Sequence, residues 1–309
     1  MNSQKKISVV IPVLNEEKSL PELLSALSSQ TFAPNEILFI DAGSTDQSKA
    51  IIGSWATENL LGLVVKVIDN PKGMPGANRN IGIQHANQGN WIAFLDAGIT
   101  PRYDWLSSLV TTAENTNQKA VFGQCEFHAY TAFQTAVCAL SYGCTSKSVL
   151  PNSLFHSETF NLTGLFRGDL RAAEDGTWLA KFDATHPQRV STPIIVSEYT
   201  HFPQNVAEVL HKWDLYELNA NLAGLTRKKV DYLILYFLVA TILLFINSSF
   251  ALLILLLYLF TRGLIDPIYR SKNIFWWRKY PTSFLHALYL APLIDLAICR
   301  ARIRFVMRK

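Results

Sequence analysis

Two almost unbroken apolar runs, Val230 to Ile246 and Phe250 to Ile265, are parted only by Asn247-Ser248-Ser249. Each falls slightly short of the ~20 residues that span a bilayer core. The pair is therefore expected to form a tight hairpin through a thin bilayer, with a partly inserted re-entrant hairpin as the alternative. A third stretch, Phe284 to Cys299, carries His286, Pro292 and Asp295. Arg270, Lys272, Arg278 and Lys279 precede it, and Arg300, Arg302, Arg304, Arg308 and Lys309 follow it. If this stretch crossed the bilayer, one basic cluster would lie outside, against the positive-inside bias. Two crossings followed by an interfacial helix are expected instead.

Charge divides the chain at the same place. Met1 to Thr226 holds 15 Lys+Arg against 21 Asp+Glu, a net of −6, whereas Arg227 to Lys309 holds 13 against 3, a net of +10. An acidic, mixed front suits a soluble domain, here 1–225, and a basic apolar rear, 226–309, suits an anchor on anionic lipid. Nucleic acid is disfavoured as the partner of that rear, because its charges are interleaved with long runs of Leu, Ile, Phe and Tyr. The four cysteines have no close paired spacing, so neither a zinc site nor a disulfide framework is indicated. The polar start, Met1 to Lys6, leads straight into a strand without the pattern of a signal peptide. The front domain is expected on the cytoplasmic face of the inner (plasma) membrane.

Within the front domain, strand-like and helix-like segments alternate. Ile7 to Pro12, Glu36 to Ile40, Leu63 to Ile68 and Trp91 to Leu95 are strand-like. Leu20, Leu23, Leu24 and Leu27 recur at helical spacing after Ser19, a possible cap, with Pro21 in the first turn. Helices are also expected from Gln47 to about Glu58 and through Arg79 to His85. The alternation implies βαβ units and a mainly parallel, Rossmann-like sheet. Ligands of such sheets sit beyond the carboxyl ends of the strands, where Asn15, Asp41 and Asp96 all fall. From Pro101 to Gln204 the pattern is less regular, with a strand at Ala120 to Cys125, an apolar segment at Phe133 to Gly143, and a loop entering a helix at Ala172 to Phe182. Val206 to Leu225 is amphipathic and helical, with Trp213 expected at the membrane interface.

The segment ISVVIPVLNEEKSLPELLSALSSQTFAPNEILFIDAGSTD, Ile7 to Asp46, resembles the opening of family-2 glycosyltransferases of GT-A fold. The matching elements are the Pro12-x-x-Asn15-Glu16 loop, Gln30-Thr31, and the loop of Asp41, Gly43, Ser44 and Asp46. Arg79-Asn80-Ile81-Gly82, Phe94-Leu95-Asp96-Ala97-Gly98 and Glu174-Asp175 continue the likeness in order, to about residue 183.

The resemblance implies a nucleotide-sugar donor and a set of roles. Pro12, Leu14, Asn15 and Glu16 would line the nucleotide pocket. Asp41 would accept hydrogen bonds from base or ribose, with a turn aspartate before a helix as the alternative. Arg79 offers a fork of donors suited to a diphosphate, or forms a salt bridge. Asp96, Ala97 and Gly98 stand where the family has its metal-binding Asp-x-Asp motif, so Mg2+ or Mn2+ would be held by Asp96. Gly98 lacks the second carboxylate, and His201 is the candidate late ligand. Asp175 is the expected general base of an inverting transfer. Glu174 would orient its loop, with helix capping as the alternative for the pair. The acceptor implied is lipid-linked or another glycan, held near the enzyme by its anchor. A polyprenyl-phosphate glycosyl synthase and a degenerate, non-catalytic GT-A scaffold are the alternatives.

Overall fold

A computed structural model describes residues 5–58, 62–86, 90–186, 188–225 and 228–307. Arg227, Arg308 and Lys309 of the expected basic flanks lie outside them, as does the beginning of the polar N-terminus. By its internal contacts the chain forms two units. One is Met1–Glu126 with Ser146–Tyr199, and the other is Phe127–Thr145 with Thr200–Lys309. The second therefore begins upstream of residue 226 and takes in an inserted segment of the front half.

The first unit starts with β1 (Ile7–Val13), α1 (Leu20–Ser28), β2 (Glu36–Asp41), α2 (Ser48–Glu58), β3 (Val64–Asp69), α3 (Pro75–His85) and β4 (Trp91–Phe94). These strands pair in parallel, β3-β2-β1-β4, with Val13 opposite Asp41 and Asp41 opposite Asp69. Three strands thus end level with one another, at the edge where the polar loops begin.

The irregular region supplies the rest of an eight-stranded mixed sheet. It contains β5 (Ile99–Pro101), α4 (Trp105–Thr116) and β6 (Ala120–Phe127), then α5 (Ala132–Ser141) of the second unit. β7 (Lys147–His156), α6 (Glu158–Thr163), α7 (Glu174–Thr185) and β8 (Val190–Tyr199) follow. The sheet order continues β7-β6-β8-β5, and the pairs β4–β7, β6–β7 and β5–β8 are antiparallel. The sheet is therefore parallel only in its first half.

Alternation along each buried strand feeds two cores. Val9, Ile11, Ile37 and Phe39 meet the leucines of α1 together with Trp105 and Leu109 of α4. Val10, Leu38, Ile92 and Phe94 meet Phe155, Phe160, Phe166, Trp178 and Phe182. Ser19 stands at the start of α1 but does not cap it. Its hydroxyl instead donates to the Glu16 carboxylate at 2.5 Å. α3 approaches β1 through Gly82, where an added Cβ would lie 2.2 Å from Val10 Cγ1.

In the second unit, α8 (Val206–Leu222) leads to α9 (Lys228–Ile246) and α10 (Ser248–Phe260). A π-helical segment, Thr261–Ile265, continues into α11 (Asp266–Ser271), and α12 (Ser283–Met307) ends the described chain. Asn247 makes the hairpin turn, its side chain capping α10 by accepting from the Phe250 N–H at 3.1 Å. Lys228–Ile246, Ser248–Ser271 and Ser283–Met307 are each long and apolar enough to cross a membrane. The third differs in that 44% of its most apolar window is buried, against 6% for the first, because α8 and α5 pack on it.

The direction of α12 follows from its partners. In the hairpin Tyr236 bonds to the Ile254 carbonyl and stacks on Tyr258, which sets Asp231 about level with Arg262. α12 meets that level three times. Leu288 lies against Gly263, Asp295 binds Arg262, and Arg302 binds Asp231. All three contacts lie where α9 begins and where α10 passes into the π-helical segment.

Gly82→Ala is expected to destabilise the protein by about 1–3 kcal/mol, since β1 offers no room for the methyl group. Val10→Ala in the same chain should recover part of that loss. Thermal unfolding of the two single variants and the double variant measures the coupling.

Candidate active site

The nucleotide-pocket candidates belong to two loops stitched together at the carboxyl ends of β1 and β2. Asn15 adopts a left-handed backbone, φ 56°, which asparagine tolerates better than most residues. Its N–H donates to Ser44 Oγ at 3.0 Å and its Oδ1 accepts from the Thr45 N–H at 2.8 Å. The Glu16 N–H donates to Ser48 Oγ at 2.8 Å, and the Glu17 N–H to Asp46 at 3.1 Å. Pro12, Leu14 and Glu16 are half-buried, and Asn15 is exposed.

Asp41 is 1% exposed. It accepts from the Gly43 N–H at 2.9 Å and the Ser44 N–H at 3.0 Å. Gly43 makes this turn possible with φ 94°. Lys49, which no sequence motif singled out, reaches Asp69 at 2.5 Å and Asp41 at 3.6 Å. A lysine in the first turn of a helix opposes the helix dipole. That misplacement was the available sign of a carboxylate partner.

The second group of candidates meets at Arg79, which is 3% exposed. Its Nη1 donates to Glu174 Oε1 at 2.6 Å, and its Nη2 to Asp96 Oδ1 at 2.8 Å. The guanidinium also lies 5.7 Å from the Phe166 ring. The fork expected to hold a diphosphate is thus occupied by two carboxylates.

Local structure holds each partner in place. Asp96 follows β4, with its N–H donating to the Pro151 carbonyl of β7 at 3.3 Å. Glu174 opens α7 directly after Ala173, whose backbone is left-handed at φ 67°. The loop before it is clamped to α3. Asn80 accepts from the Phe166 N–H and donates to its carbonyl, both at 2.9 Å. Gly76 lets the loop close in, since a Cβ there would lie 2.1 Å from the Arg167 carbonyl. Asn80 was visible in the sequence as a motif residue, but its clamping role was not.

Three carboxylates around one guanidinium leave an excess of negative charge. Burial pushes the Glu174 carboxyl above the ordinary carboxylate range; Arg79 opposes the rise and Asp175 adds to it. Asp96 moves in the same direction, by desolvation first, with Arg79 opposing and Asp175 adding. Burial would disfavour the Arg79 charge, but Asp96 and Glu174 outweigh it and keep the guanidinium charged. Asp175 is half-buried, and its Oδ1 accepts from the Gly176 N–H at 2.6 Å.

The side chain of Asp96 is 39% exposed, with one oxygen on Arg79. Ala97 and Gly98 add no side-chain ligand. A divalent ion could therefore take Asp96 together with donor phosphates and water, a combination that Mg2+ accepts readily. His201 belongs to the second unit, exposed between β8 and α8, with Nδ1 3.3 Å from Thr200 Oγ1.

A half-parallel sheet with polar loops and a carboxylate at its strand ends, followed by a late Glu-Asp pair, defines a glycosyltransferase of GT-A fold. The chain belongs to glycosyl transferase family 2, whose model matches residues 8–167. It is 36% identical over 125 residues to the glycosyltransferase AglE of Haloferax volcanii, covering 39% of this chain and 40% of that one. It is 37% identical over 121 residues to an undecaprenyl-phosphate 4-deoxy-4-formamido-L-arabinose transferase of Serratia proteamaculans, covering 36% and 34%. The chain thus spans well under half the length of these relatives. Among solved structures it is similar to the mannosyltransferase PcManGT of Pyrobaculum calidifontis, in complex with GDP-Man and Mn2+. There the TM-score is 0.58 at 15% identity, covering 100% of this chain and 89% of the other.

Arg79→Met should cost about 3–5 kcal/mol of stability, because it leaves the buried Glu174 carboxylate without its counter-charge. Arg79→Lys should retain only part, since one ammonium cannot serve both acids with the geometry of a fork. Denaturant unfolding in detergent measures both.

Proposed function

We propose that this glycosyltransferase transfers a sugar, with inversion, from a nucleotide-sugar donor to a lipid-linked acceptor at the cytoplasmic face of a membrane. The observation that carries the reading is the Arg79 fork. It ties Asp96, after β4, to Glu174 in the first turn of α7, which supports reading the two with the adjoining Asp175 as one site.

In this reading the Asn15 and Asp41 loops receive the nucleoside. Asp96 faces the donor diphosphate, whose charge a bound Mg2+ or Mn2+ would neutralise as a Lewis acid. Asp175 takes the proton of the acceptor hydroxyl as its oxygen attacks the anomeric carbon and the nucleoside diphosphate departs. Arg79 and Glu174 are positioning residues, since the guanidinium is filled by carboxylates and Glu174 is buried against it.

The Serratia relative, named for undecaprenyl phosphate, favours a second reading in which the acceptor is a polyprenyl phosphate. Such an acceptor is already ionised, and Asp175 would orient it without removing a proton.

Asp175→Asn is the deciding variant. For a hydroxyl acceptor kcat should fall by about 10²–10⁴-fold with donor affinity unchanged. For a phosphate acceptor kcat should fall far less. Equal rates for wild type and variant on every acceptor would remove Asp175 from the reaction. Asp96→Asn should weaken donor binding in Mn2+ and leave it little changed in chelator, as read by nucleotide-dependent thermal stabilisation.

A further inference from the structure

Of the cations in the second unit, the arginines near the chain end are already paired. Arg300 and Arg304 both bind Asp214, while Arg302 binds Asp231 and Asn221. Arg262 and Arg270 take up Asp266, and Arg262 also takes Asp295. The loop between α11 and α12 is different. Lys272, Arg278 and Lys279 are exposed there, with no acidic partner among the described residues. The carboxylates closest in sequence, Asp266 and Asp295, are the ones that Arg262 and Arg270 occupy.

The same loop presents apolar surface beside its charge. Ile274 is 59% and Phe275 55% exposed, while Trp276 is buried at 5% and roots the loop in its unit. Its backbone is folded into successive turns. The Arg278 N–H donates to the Phe275 carbonyl and the Tyr280 N–H to that of Trp277, at 2.9 and 3.0 Å. Lys272 ends α11 in the left-handed conformation, φ 50°. The loop follows α11, which continues directly from the π-helical segment that ends the apolar hairpin, where the polar boundary of a bilayer would fall.

We propose that this loop is a binding surface for anionic phospholipid headgroups, with Lys272, Arg278 and Lys279 on the phosphates and Ile274 and Phe275 in the acyl boundary. The proposal rests on the membrane reading of α9 and α10. Ordered apolar side chains flanked by cations that no carboxylate neutralises match the chemistry of an anionic lipid surface, in which both contacts are made at once. A free phosphate would use the charges and leave the exposed Ile274 and Phe275 in water. Near such a surface each cation contributes on the order of a five-fold gain in affinity, or roughly a hundred-fold for three. The arginines at the end of α12 differ in having carboxylate partners within the unit, Arg300 and Arg304 sharing Asp214 and Arg302 holding Asp231.

The test uses the full chain purified in a neutral detergent. Thermal stabilisation is followed on adding phosphatidylglycerol, phosphatidylcholine or inorganic phosphate, and retained lipid is counted by native mass spectrometry. Phosphatidylglycerol should stabilise the wild type and be retained, and the other two additions should do neither. K272Q/R278Q/K279Q should lose both effects, and the charge-conserving K272R/R278K/K279R should keep them. An equal response of wild type and the glutamine variant to phosphatidylglycerol would overturn the proposal. A response to inorganic phosphate as strong as that to phosphatidylglycerol would overturn it as well. If the protein instead fractionates as soluble without detergent, the membrane reading itself fails. A membrane-embedded wild type with no anionic preference defeats this inference alone.

Discussion

Arg79 is 3% exposed, and a charge at that depth must be neutralised where it stands, at a cost of several kcal/mol if it is not. The solution draws on three places in the sequence: the middle of α3, the end of β4 and the start of α7. Neutralising one guanidinium therefore fixes the distance between the parallel half of the sheet and the helix that carries Asp175. Gly82 against Val10 and the clamp of Asn80 on Phe166 serve the same end, since they set the depth of α3 and the height of the loop before α7.

The parallel half was legible because its information is local. Strand and helix periods alternate cleanly through residue 95, and Asp41 and Asp96 mark strand ends by themselves. The antiparallel half was not. β7 contains Pro151 and Asn152, β8 contains Pro193 between Thr192 and Ile194, and neither shows clean alternation. Their pairing is decided by partners far along the chain. The candidate site was legible as a set of residue types and illegible as a network. Nothing local distinguishes an arginine that will meet phosphate from one that will meet Asp96 and Glu174.

The charged residues of the second unit teach the same point. A net of +10 from Arg227 to Lys309 suited an anchor on anionic lipid. Packing divides those charges into some that hold α12 to α8, α9 and the π-helical segment, and a few in the loop after α11 that remain exposed. Composition reports the sum, and only the fold shows the division.

The inserted segment between β6 and β7 bears on how this enzyme could be handled. Its helix, α5, packs against α11 and α12 rather than joining the sheet. Gly143, just past it, touches the backbone of Arg270 so closely that a Cβ would lie 2.2 Å from the carbonyl oxygen. The polypeptide thus leaves the catalytic unit and returns to it in mid-sheet. Cutting the chain after α8 would strip α5 and α8 of the helices that cover them, exposing their apolar faces on the surviving fragment. Such a fragment would be prone to aggregate, and a soluble catalytic piece would need a short polar bridge in place of residues 127–145 as well as a new end near Tyr199.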